Sequence, residues 1–251
     1  MRTANPDTYL DDFLKQVQDG LDQYKSVSDA LAGAGVKAPL LKAAAEDAAF
    51  RLGALWEVFQ GRWHVAAISR EPQKFVREVK KTLEQKLKDE ARDIVLAIYP
   101  EALQVPSHPT LAQIESVLDP NRYNLTFKDV EAWMESSALY HSDRYKGIVR
   151  VIVSDPESAS LLDLLKKLRN QLAHGSHGSK AAFNRSCRAR PVGGGEKEGL
   201  AGSANDPLKR GNRDVRDVGA YLRAGPDACS GSRVEILHRR VIEVAEKLRA
   251  S

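Results

Sequence analysis

Pro156-Glu-Ser-Ala-Ser-Leu-Leu-Asp-Leu-Leu-Lys-Lys-Leu-Arg-Asn-Gln-Leu-Ala-His-Gly175 reads as one amphipathic helix with both ends signalled. Leu161, Leu164, Leu165, Leu168 and Leu172 recur three and four positions apart, which places them on one face of a 3.6-residue period. Asp155 is a good N-cap, and Pro156 sits at the first helical position, where its missing N–H goes unnoticed. Ser160 and Asp163 offer a second, later start. Gly175 can take the left-handed backbone that closes a helix.

Outward from this helix the same period dominates. Between Asp7 and Leu31, a stripe of Tyr9, Leu10, Phe13, Leu14, Val17, Leu21, Tyr24 and Val27 predicts a helix that starts at Pro6–Asp7 and breaks at Gly33–Gly35. A second is predicted from Ala38 to Ile68, with Leu41, Ala45, Ala48, Leu52, Leu55, Trp56, Phe59 and Trp63 on a broad apolar face. Glu71–Pro72 ends it, because a residue before proline is pushed out of the α region. A third is predicted from Gln73 to Ile98, with alternating lysine and glutamate on a solvated face. From Pro100 to Ser154 the pattern shortens to Thr110–Leu118, Thr126–Ser137 and His141–Val153. Val151–Val153 could be a strand, but it is too short and isolated to support a sheet. The expected class is all-α, an up-and-down bundle.

Past Gly175 the composition changes. Residues 175–232 hold most of the 17 glycines and many arginines, and read as loop or disordered chain. Val234–Arg249 returns to helical periodicity. The expected layout is a helical domain over 1–186, a flexible Gly/Arg-rich segment over 187–232, and a C-terminal helix over 233–251.

Composition narrows the function classes. The chain has 251 residues, 42% of them hydrophobic and 29% charged, with a net charge of +4. That permits a polyanionic partner without requiring one. No stretch approaches the roughly 20 apolar residues of a membrane span, so no membrane partner is expected. The N-terminus lacks an apolar signal region. Cys187 and Cys229 make no disulfide framework. A cytoplasmic location is the expectation.

The chemistry is carried by Arg169 and His174. Five residues turn a helix through about 500°, which leaves the two side chains about 140° apart. Fraying at the helix end and the reach of arginine could still bring both to one phosphate. Arginine would supply a permanent bidentate cation, and histidine a proton carrier near neutral pH. On spacing alone an ordinary helix end, whose cations offset the dipole, is the better reading, because such pairs are common.

Arg169-Asn-Gln-Leu-Ala-His174-Gly resembles the Arg-x4–6-His signature of the HEPN superfamily, in which asparagine often follows the arginine. Ala49-Phe-Arg-Leu-Gly-Ala-Leu-Trp-Glu-Val-Phe59 is similar to the alanine-rich early helix of HEPN domains, and the layout over about residues 40–180 resembles the RiboL-PSP-HEPN group. The resemblance implies a helical bundle that forms a homodimer, whose paired motifs build a composite cleft. It implies a metal-independent endoribonuclease acting on RNA, in toxin–antitoxin, phage-defence or processing roles, or else a non-catalytic module. A cognate antitoxin is an implied partner, and no cofactor is expected. Carried over, Arg169 and His174 are the catalytic pair, Asn170 orients the site, and Glu57 is the early-helix acid able to hold Arg169. The long Gly/Arg-rich insertion before the last helix departs from the family's pattern.

Other groups are weaker. His174, His177 and Cys187 match no standard zinc spacing. Gly193–Gly195 lacks the Lys-Ser/Thr of a phosphate loop. His64 reads as a surface or satisfied core histidine. Trp56, Trp63 and Trp133 read as core or dimer interface rather than base-stacking platforms.

Overall fold

The computed structural model describes residues 4–88, 105–121, 125–188, 214–225 and 231–250. Every regular element among them is helical, so the fold is all-α. None of these helices is long and apolar enough to cross a membrane.

Helices α1 (Pro6–Gly33) and α2 (Ala38–Arg70) form an antiparallel hairpin, closed by Gly35 at φ +64°. The Asn5 side chain accepts from the Asp7 amide and caps α1. Helix α2 is the central helix, buried on all sides from Trp63 to Ser69. It is packed by α1, by α4 (Leu111–Leu118), by α7 (Pro156–His174), by α9 (Val218–Arg223) and by α10 (Arg233–Glu246). Helix α3 (Gln73–Lys88) follows Pro72 as expected; the end proposed for it, through Ile98, lies outside the described residues. Among the described residues the larger hydrophobic cluster runs from Leu10 to Ala250, and Val65, Ile68, Phe75 and Ile114 form a smaller one.

Helix α5 (Val130–Tyr140) starts four residues later than the sequence suggested. Asp129 is its cap, accepting from the Ala132 amide at 2.8 Å. Helix α6 (Asp143–Ser154) absorbs Val151–Val153. Ile152 is fully buried while Val151 is exposed, a helical rather than a strand arrangement.

Trp56, Trp63 and Trp133 stand edge-to-face in the interior with Tyr145, which closes them to any base. Beside them two histidines are buried, their rings 4.1 Å apart. His141 Nδ1 meets Ser137 Oγ at 2.7 Å, and its Nε2 donates to the His64 carbonyl at 3.2 Å. His64 Nε2 meets Ser136 Oγ at 3.1 Å, while its Nδ1 is buried without a partner. Burial, and then the proximity of His141, holds His64 well below the usual histidine range. Burial pulls His141 down to about 3.

Loop was expected after Gly175, but helix α8 (His177–Arg188) follows almost at once. Gly175, at φ +58°, ends α7, and Ser176 Oγ accepts from the Ser179 amide. Ser179 reaches Gln171 at 2.8 Å and Ser186 reaches Asp163 at 2.8 Å, so α7 and α8 run antiparallel. Phe183 and Cys187 are buried. The segment expected to be flexible is also structured where it is described. Asn184 Oδ1 accepts from the Val215 amide at 2.7 Å, and Phe183 meets Tyr221 of α9 edge-to-face. A Cβ at Gly219 would lie 2.6 Å from Lys42 Cβ, so glycine there lets α9 lie against α2. Residues 189–213 and 226–230 lie outside the described residues.

Helix α10 opens with a capping box between Ser232 and Glu235. Its far end returns to the beginning of the chain. Arg249 pairs with Asp11 at 3.0 Å, and the Ala250 amide donates to Asp7 at 2.9 Å.

Candidate functional site

Asp155 fixes the start of α7 by accepting from the Glu157 amide. Leu161, Leu164, Leu165 and Leu168 bury one face of the helix. That packing leaves Arg169 and Asn170 half-buried at the seam with α2, and His174 exposed at the helix end.

At the seam Arg169 crosses Gly53. A Cβ on Gly53 would lie 2.7 Å from Arg169 Cβ, so only glycine lets the two helices meet at that distance. One turn along α2, Glu57 Oε2 lies 3.4 Å from Arg169 Nη2. Asn170 Oδ1 accepts from Arg169 Nη1 at 3.1 Å. The guanidinium carbon sits 5.8 Å from the centre of the Phe50 ring, a cation–π distance. Arg169 Nε is buried without a partner. With one proton on each terminal nitrogen engaged, an arginine retains two Nη protons for an incoming anion. The Arg169 side chain is 28% exposed, so the guanidinium is held firmly yet reachable.

Lys166, one turn before Asn170, extends this basic edge. It donates to the Phe127 carbonyl. Burial lowers its pKa, and the Glu57 carboxylate opposes that shift. Glu57 thus faces two cations. Lys167 lies alongside, paired with Asp163 at 3.6 Å.

The structure therefore gathers three of the four residues singled out in the sequence: Glu57, Arg169 and Asn170. It does not gather His174. Five residues place His174 about 7.5 Å further along the axis and about 140° round it. Among the described residues it makes no hydrogen bond or ion pair. The sequence reading missed Phe50, Gly53 and Lys166. Gly53 carried a legible signal, a lone glycine inside an alanine-rich helix one turn from Glu57. Among the described residues no group of three or more His, Cys, Asp or Glu side chains could hold a metal ion.

The seam gives a direct test. Gly53→Ala should force α7 away from α2 or turn Arg169 off Glu57. The expected cost is about 1–3 kcal/mol, typical of overpacking, read by denaturant unfolding. Gly147→Ala, whose Cβ would meet nothing within 4 Å, is the control expected to show no such loss. Equal behaviour of the two variants would rule out a tight α2–α7 seam.

The chain matches no protein-family model, no curated protein and no solved structure at a significant level.

Proposed function

We propose that this chain is a metal-independent endoribonuclease of HEPN type that works as a homodimer. The observation that carries the reading is Arg169, held by Glu57 and Asn170 at a reachable seam, on the same helix as an exposed His174. In the proposed reaction the 2′-hydroxyl of RNA attacks the adjacent phosphorus and the 5′ oxygen leaves, giving a 2′,3′-cyclic phosphate. His174 moves one of the two protons, and Arg169 stabilises the charge building on the phosphorane oxygens. Because His174 and Arg169 of one protomer diverge around α7, a second copy supplies the facing pair of a composite cleft. Cytoplasmic toxin or phage-defence roles, with a cognate antitoxin, belong to this reading.

The same divergence favours a second reading, a non-catalytic module that binds RNA or a protein partner through the Lys166–Arg169 edge. Incubating the purified protein with total RNA in excess EDTA separates the two. Cleavage to cyclic-phosphate ends supports the enzyme. Binding without cleavage supports the module.

A further inference from the structure

Between α1 and α2 a cavity of about 570 Å³ opens to solvent. Val17, Tyr24, Ala48, Leu52 and Leu55 give it apolar walls. Its volume falls within the range of about 300–1,000 Å³ that encloses small organic ligands. Arg169, Asn170, Glu57 and His174 do not line it.

Two features mark it as more than a gap. The first is Gly20, in the middle of α1 and on the cavity wall. Glycine inside a helix is about 1 kcal/mol less favourable than alanine. Its backbone is not left-handed, and an added Cβ would meet nothing within 4 Å. Neither backbone strain nor a close neighbour calls for glycine here, unlike Gly53 and Gly219. What the missing side chain does is leave the cavity open.

The second is His238 of α10, which lines the cavity and is only 2% exposed. Its Nδ1 lies 2.8 Å from the Val234 carbonyl oxygen. A carbonyl only accepts, so Nδ1 carries the proton and Nε2 presents a lone pair. Nε2 has no partner among the described residues. At the mouth, Asp19 and Asp47 face a single cation, Arg51, already paired with Asp47 at 2.9 Å and bonded to Gln23 at 3.3 Å.

We infer that the cavity binds a neutral amphiphile, with an apolar body between α1 and α2 and a hydroxyl donating to His238 Nε2. A carboxylate is disfavoured, because it finds an acceptor inside and acids at the entrance.

Calorimetric titration at pH 7.5 tests this with 1-octanol, its isomer 1-methoxyheptane, which has no donor, and octanoate. Saturable one-site binding of 1-octanol is expected, with the ether and the carboxylate each about tenfold weaker, the scale of one lost hydrogen bond. Gly20→Leu fills open space, so it should melt no lower than wild type and lose octanol binding by about tenfold or more. Absence of saturable octanol binding overturns the inference, as does a Gly20→Leu variant that binds like wild type. An ether that binds as tightly as the alcohol removes His238 from it. If Gly20→Leu abolishes self-association while octanol does not bind, the groove belongs to a second copy and the inference also fails.

Discussion

His174→Ala is expected to lower the rate of RNA cleavage by about 10²–10⁴-fold, the usual contribution of a general acid or base. Arg169→Ala is expected to lower it by about 10²–10³-fold, the cost of removing a donor to developing charge. The structure makes the histidine experiment clean. His174 is exposed at the end of a helix held by leucines, so its removal should leave melting and dimerisation nearly unchanged. A histidine that only offsets the helix dipole is worth about 0.3–1 kcal/mol and contributes nothing to chemistry. Arg169→Ala also strips Glu57 of a cation, so its stability must be measured beside its activity. Arg169→Lys keeps the charge but loses the two-pronged geometry, and should recover fold before it recovers rate. Wild-type cleavage by His174→Ala would end the catalytic assignment.

Acidification should destabilise the fold before its carboxylates titrate. His64 and His141 are held neutral in the interior, below their ordinary value of 6.5. Above that pH neither folded nor unfolded chain protonates them, and they contribute no slope. Below it the unfolded chain binds protons that the fold refuses, and stability falls as pH falls. For His141 the slope reaches about 1.36 kcal/mol per pH unit and continues down to about pH 3, and His64 acts in the same direction. At pH 5 His141 alone should have removed about 2 kcal/mol, a sizeable part of the roughly 5–15 kcal/mol that holds a domain together, with His64 adding to it. His238, whose pKa is lowered chiefly by burial, adds in the same direction. For Asp155, hydrogen bonds from Lys247 and Ser158 outweigh burial and hold its carboxyl at about 2, so its contribution is lost only below about pH 4. Urea unfolding at pH 7.5, 6 and 5 reads the effect. A stability that stays flat across that window would mean the histidines accept protons in the fold.

The fold class was legible because local signals and long-range packing agree. Asp155, Pro156 and Gly175 mark the ends of α7 where the structure has them, and the α1 and α2 stripes lie on the packed faces except for Val27, which is exposed. Sequence reading failed where tertiary contacts decide. His177-Gly-Ser opens α8 with weak helix formers, and α8 is held by tertiary contacts that include Asn184 gripping Val215, 31 positions away. Polar, glycine-bearing sequence reads as loop when its partner lies that far off. At the candidate site, Glu57 and Arg169 were linked beforehand only through the family resemblance. Their approach depends on Gly53, whose role appears only when α7 lies across it. The divergence of Arg169 and His174 was calculable from helical period alone, and the structure keeps it.

The contact between Asp7 and Ala250 has a consequence for synthesis on the ribosome. Helix α10 places Val234, Ile236, Leu237, Val241 and Val244 in the same core that α1 and α2 line. The parts of α1 and α2 that α10 covers therefore stay open until residues 233–250 have been made. Closing this core joins segments more than 200 residues apart in sequence, and non-local closure of that kind is slow.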